Sequence, residues 1–190
     1  MNMKKIVLAM ALVSSVGSMA HAAGYVQVPP SVDPVVPTTA TGRVTFVGSV
    51  NDTPCSIDPD SVDQTVQMGS VSGVALQGGK QATPVPFSIK LHDCSTTTAK
   101  TATVSFNGTA GASGEGLDTT FAVVGTASNV GVGLHGLNGQ VLKPGDKDAA
   151  RTLVDGDNEL QFEAFMQGAT TSTVVPGDFS AITNFTIEYN

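Results

Sequence analysis

This chain of 190 residues carries sixteen acidic side chains against nine basic ones, a net charge of −7 at neutral pH, and has no basic cluster for nucleic acid or an anionic membrane surface. It holds eight Phe, two Tyr and no Trp, and only 13% of its residues are charged. The length is enough for one domain with a sizeable core.

The chain opens with an export signal. Lys4 and Lys5 make a positive start, and Ile6 to Met19 is apolar over about fourteen residues, too short to span a bilayer comfortably. Ala20-His21-Ala22 is a small-x-small cleavage site, so residues 1–22 read as a signal peptide cut between Ala22 and Ala23. An uncleaved membrane anchor is the alternative that this length disfavours. No later segment is apolar enough to cross a membrane.

Residues 23–41 form a tail. Pro29, Pro30, Pro34 and Pro37 forbid a helix and favour extended backbone. Val26, Val28, Val32, Val36 and Ala40 share one parity, which runs on through Gly42, Val44 and Phe46. Period-two spacing is what an inserted strand needs, while Pro-rich composition equally describes a disordered linker.

From Gly42 onward the pattern is β. Val44, Phe46 and Val50 share a parity in Arg43–Val50; Phe87, Ile89 and Leu91 do so in Pro86–His92; Val104 and Phe106 in Thr101–Asn107. Val130, Val132 and Leu134 alternate in Asn129–His135, and Leu160, Phe162, Ala164 and Met166 in Glu159–Gln167. Clusters of Gly, Asp, Asn, Ser and Thr separate these runs, and no long amphipathic helix interrupts them, which argues for an all-β sandwich. Cys55 and Cys94, in an oxidising compartment, are most simply a disulfide; two separate buried thiols are the alternative. The terminal run Ile182–Asn190 puts Thr183, Phe185, Ile187 and Tyr189 on one face. Nothing follows it to pair with, so it reads as a strand without a partner in its own molecule. An open sheet edge plus a spare strand at the other end is a means of joining copies, which points to a polymer subunit and not to an enzyme.

The reactive residues do not converge on a known catalytic pattern. His92 and His135 each lie in a predicted strand and read as solvated. There is no HExxH, GxSxG or P-loop, and Gly131-Val132-Gly133 is a glycine pair in a strand that allows close packing. Asp58, Asp60 and Asp63 lack the remaining ligands of a calcium loop and read as an acidic turn, and Asp146, Asp148, Asp155 and Asp157 as a solvated loop. No cofactor, metal or small-molecule substrate is expected.

Several segments together resemble the structural pilins of chaperone–usher fimbriae, the type 1 shaft subunit above all. They are Gly42–Gly48, Pro54-Cys55-Ser56-Ile57, Ser61–Gly69, Phe87–Cys94, Asn129–Val132 and Phe185–Asn190 with its penultimate Tyr, together with Gly177, fourteenth from the end. The resemblance implies an incomplete immunoglobulin-like sandwich over residues 42–190 that lacks its final strand. It also implies a periplasmic chaperone that lends the missing strand, an outer-membrane usher, and replacement of that strand by the next subunit's extension at residues 23–41. On this reading Val36, Thr38, Ala40, Gly42 and Val44 form the donor face. Gly177, Phe185, Ile187 and Tyr189 mark the acceptor strand, where the chaperone docks. The implied role is a structural subunit of a surface fimbria supporting cell adhesion. The same resemblance leaves room for a minor adaptor or a carbohydrate-binding adhesin, although tip adhesins resemble a lectin domain fused to a pilin domain, roughly double this length. A secreted enzyme, the third reading, has no catalytic constellation behind it.

Overall fold

The computed structural model describes residues 39–50 and 52–190. Ala22, Ala23, Val36 and Thr38 lie outside the described residues. Contacts divide the chain into two units that meet between Gly48 and Ser49.

Among the described residues, the second unit contains eleven strands, two single-turn α-helices and a short 3-10 turn at Leu137–Gly139. In chain order these are β1 (Ser56–Ile57), α1 (Pro59–Val62), α2 (Gly73–Leu76), β2 (Val85–Cys94), β3 (Thr101–Asn107), β4 (Phe121–Ala122) and β5 (Val124–Gly125). They continue with β6 (Val130–His135), β7 (Val141–Leu142), β8 (Arg151–Thr152), β9 (Gly156–Gly168), β10 (Phe179–Ser180) and β11 (Asn184–Tyr189). One sheet runs β1-β2-β9-β6-β4, with β7 also on β6; a second runs β11-β3-β8; β10 and β5 form a ribbon. All pairings are antiparallel.

Period-two sequence produces this arrangement directly, because successive side chains of a strand leave opposite faces. Phe87 pairs across from Phe162 and Ile89 from Leu160. Both strands therefore send their apolar parity inward, where Ile89, Leu91, Leu160 and Phe162 meet Val104 and Phe106 of the other sheet. A smaller cluster of Leu76, Val130, Met166 and Val174 closes one end. The Cys55–Cys94 disulfide ties the residue before β1 to the end of β2.

Two expectations are corrected. Arg43–Val50 forms no strand: Val44, Phe46, Val47 and Val50 are exposed, Phe46 by 89%. Alternating apolar residues confer the capacity to pair, but a strand exists only where a second backbone satisfies its N–H and C=O groups. The terminal strand does have a partner in its own molecule. β11 pairs with β3 over six positions, from Asn184↔Asn107 to Tyr189↔Ala102. Lying last in the chain does not prevent a strand from pairing backwards. What remains open is the outer edge of β11: among the described residues β3 is its only neighbour. The far edge of β3 is taken, since Gly145 N–H donates to Phe106 C=O at 2.7 Å and Asp148 N–H to Val104 C=O at 2.7 Å.

Candidate functional site: an apolar groove between two unpaired edges

The open edge of β11 borders a groove of about 1300 Å³. Its floor is the interior of the sandwich: Phe87, Ile89, Phe106, Val132, Leu134 and Ala164. One wall is residues 177–185 and the other residues 61–71. Residues 64–71 belong to no helix or strand and make no backbone–backbone hydrogen bond among the described residues. Among the described residues, the outer edge of β11 and residues 64–71 thus present free backbone donors and acceptors beside an apolar floor. Asp63 and Asp178 are, among the described residues, the only ionisable side chains lining the groove. An aromatic chain underlies it: Phe185 lies 6.5 Å from Phe106, which lies 4.9 Å edge-on to Phe162, itself stacked at 5.6 Å on Phe87. The Arg151 guanidinium sits 4.3 Å from the centre of the Phe162 ring.

Phe185, Ile187 and Tyr189 all point inward from β11 and pack half-buried against the main core. Strict alternation of inward and outward residues holds from Phe179 to Asn190. The Tyr189 hydroxyl is buried without a hydrogen-bond partner, and burial pushes its pKa up. Gly177 lies outside β11, two residues before β10. Its φ is not positive; the need for glycine is steric, because a Cβ there would stand 2.5 Å from Ala127 N and 2.6 Å from Thr126 C. That close approach lets Thr126 and Ala127 donate their N–H groups to Asp178 C=O at 2.9 and 3.0 Å. Ala40, Gly42 and Val44 are exposed in residues 39–50, which form no helix or strand. The same exposed parity continues through Phe46, Gly48 and Val50, beyond the five donor residues expected from the sequence. Val66 and Met68 of the 61–71 wall were also missed as a site, although their two-residue spacing was the available signal; both pack on the main core.

The polar residues have structural partners. His92, expected to be solvated, is held between Asp58 and Asp157 at 2.7 and 2.8 Å. His135, also expected in solvent, stacks on Phe165 at 4.4 Å, because Gly133 leaves room for that ring: a Cβ on Gly133 would stand 2.1 Å from it. Asp148, expected in a solvated loop, is fully buried and accepts from Arg151 Nη2 at 2.7 Å and from the Leu137 and Ala149 N–H groups. Asp58 caps α1, accepting from Asp60 N–H at 2.8 Å. Among the described residues no three His, Cys, Asp or Glu side chains are grouped to hold a metal ion, and no helix is long and apolar enough to cross a membrane.

Residues 44–190 match the family model described as fimbrial protein. The chain is similar to the Fimbria A protein of Serratia marcescens, 41% identical over 190 residues that cover 100% of this chain and 99% of the relative. It is similar to the Major MR/P fimbria protein of Proteus mirabilis strain HI4320, 40% identical over 78% of this chain and 83% of that protein. Among solved structures, a chaperone–usher pilus subunit studied for rod uncoiling covers 83% of this chain and 100% of its own, at 29% identity and a TM-score of 0.71. The P pilus rod subunit PapA covers 73% and 100% respectively, at 27% identity and a TM-score of 0.64. The sandwich with one open edge is thus the incomplete immunoglobulin-like fold of chaperone–usher pilins, and the chain belongs to the fimbrial protein family.

Proposed function

We propose that this chain is the repeating structural subunit of a bacterial surface fimbria, and that its groove seats an extended strand supplied by another polypeptide. One observation carries the reading: an apolar floor lies open between the outer edge of β11 and residues 64–71, neither of which has a backbone partner there among the described residues. Such an opening exposes core side chains and unpaired peptide groups, each costly to leave so. An inserted strand supplies ladder hydrogen bonds on both sides and buries alternate side chains in the floor, the strand-addition mode of which pilin assembly is a known instance.

The donor is the N-terminal tail of a neighbouring copy. Val36, Thr38, Ala40, Gly42 and Val44 form its inserted face, extended here to Phe46, whose ring is 89% exposed. Burying each large apolar side chain stabilises the joint by about 1.5–3 kcal/mol before ordering costs. The wall of nine residues, 177–185, spans about 30 Å as extended chain, room for a donor of similar length. A head-to-tail joint of this kind propagates and does not close, so it makes a filament. Before assembly a periplasmic chaperone occupies the same groove along β11, and an outer-membrane usher is where the exchange takes place. The signal at residues 1–22 directs the chain to that route and the finished fimbria stands at the cell surface. A fimbrial role also accounts for reactive side chains that are engaged in structural contacts.

Deletion of residues 23–41 leaves chaperone capture intact and abolishes fibre formation, as seen by electron microscopy and by loss of ladders in mild denaturant. Phe46→Asp weakens the joint in the same assay. Fibres built from the truncated chain would overturn donor-strand exchange through this tail.

A further inference from the structure

His92, near the end of β2, stands between two carboxylates. Its Nε2 lies 2.7 Å from Asp58 Oδ2 and its Nδ1 2.8 Å from Asp157 Oδ1. An ionised carboxylate only accepts, and a neutral imidazole has one N–H to donate. The neutral ring therefore satisfies one of these contacts and sets a lone pair against the other; the imidazolium satisfies both. Geometry alone thus defines His92 as a two-sided clasp in its charged form.

The clasp joins three separate stretches of chain. Asp58 lies between β1 and α1, His92 on β2, and Asp157 at the start of β9. Asp58 also roots α1: its second carboxylate oxygen accepts Asp60 N–H, and its own N–H donates to Lys90 C=O at 3.0 Å. Within α1, Ser61 Oγ accepts Lys90 N–H at 3.1 Å. The chain leaving α1 is the groove wall. Gln64 Nε2 donates to Ser88 C=O at 3.2 Å, and residues 64–71 have no backbone hydrogen bond of their own among the described residues. Val66 and Met68 hold the wall by packing on the core, and its hydrogen-bonded mooring is at its α1 root, where His92 acts.

We propose that His92 is a proton-dependent positioning residue for the groove: charged, it fastens α1 and the start of β9 to β2 and holds the 61–71 wall in place; neutral, it releases one carboxylate and slackens the wall at its root. The consequence for filaments rests on the groove being the strand seat. The effect on the wall does not. The charged groups facing the ring are Asp157 from β9 and Asp58 from the turn before α1, which hold its proton and raise its pKa above the ordinary 6.5. His92 in turn lowers the pKa of Asp58, with Lys90 on the same strand acting on Asp58 in the same direction. A raised pKa means the contribution is fully present below 6.5 and is lost as pH rises through the folded value. Slackening therefore belongs to the alkaline side.

Hydrogen exchange in filaments of the mature chain, corrected for intrinsic rates, tests this at about pH 6 and about pH 9. Protection of residues 58–71 is expected to fall at the higher pH, more than in β6 and β9. His92→Gln and Asp157→Ala are expected to show the lower protection at both; Asp157 is 81% exposed, so its variant leaves the fold undisturbed. The denaturant midpoint for filament dissociation is expected to drop at the higher pH in the unaltered chain only. Equal protection at both pH values, or the same pH response in both variants, overturns the clasp. A wall that loosens without moving the dissociation midpoint overturns its reach into the joint. Fibres built without residues 23–41 would instead overturn the strand-seat reading and leave the exchange result standing.

Discussion

Glu115 shows how a single side chain fastens a loop. Its carboxylate accepts from Thr171 Oγ1 at 2.7 Å, Ser172 Oγ at 2.8 Å and Ser172 N–H at 3.0 Å. Bonds made only to the ionised form hold its pKa down to about 2, from an ordinary 4.5. A depressed carboxylate contributes stability above its unfolded value and loses it as pH falls through the folded one. The tether is therefore expected to persist in mild acid and to weaken only as the pH falls from 4.5 towards about 2. Glu115→Gln should raise hydrogen exchange at Ser172 and remove its acid dependence; unchanged exchange there would show that the tether does not order the loop. Nothing in the sequence marked this residue, since Glu115 and Ser172 are far apart in the chain. The role of Gly177 was equally hidden. Its position from the end was legible, but the reason for glycine, contact with Thr126 and Ala127, is a matter of folded geometry.

At the scale of elements, strand identity was largely written in the chain. The alternation at Phe87–Leu91, Val104–Phe106, Val130–Leu134 and Leu160–Met166 became β2, β3, β6 and β9 with those residues turned inward. The failure at Arg43–Val50 has the opposite lesson, because an alternating run with no backbone beside it stays unpaired. The disulfide expected from Cys55 and Cys94 is formed, and it fixes short β1 to the end of β2 just ahead of the groove wall. Closing a loop with a sequence separation of 39 stabilises the fold by about 4 kcal/mol in the chain-entropy view. Cys55→Ser should accordingly reduce the amount of chaperone-bound subunit recovered from the periplasm, measured by quantitative blot; undiminished recovery would show that the crosslink is dispensable for folding.

For the whole molecule, the groove decides behaviour. A sandwich whose floor is open should not be a well-behaved solitary monomer. The mature chain, refolded without a helper, is expected to aggregate or to associate slowly, as followed by analytical ultracentrifugation. Supplying a peptide of residues 36–50 should shift it to a discrete, denaturant-resistant species. A lone chain that stays monomeric and cooperatively folded would remove the premise of strand donation.

What the sequence determined by itself was the kind of structure: strands by period two, a domain crosslinked through Cys55 and Cys94, and an alternating apolar pattern ahead of it. Those are local properties, fixed by where each side chain falls along a pleated backbone. Only the tertiary structure decided which backbone edges were left over. β11 proved half-paired with β3, residues 64–71 proved unpaired, and the two lie across one floor. Pairing is a relation between segments distant in the chain, and a vacancy is what remains after all such relations are satisfied, so no single stretch of residues encodes it.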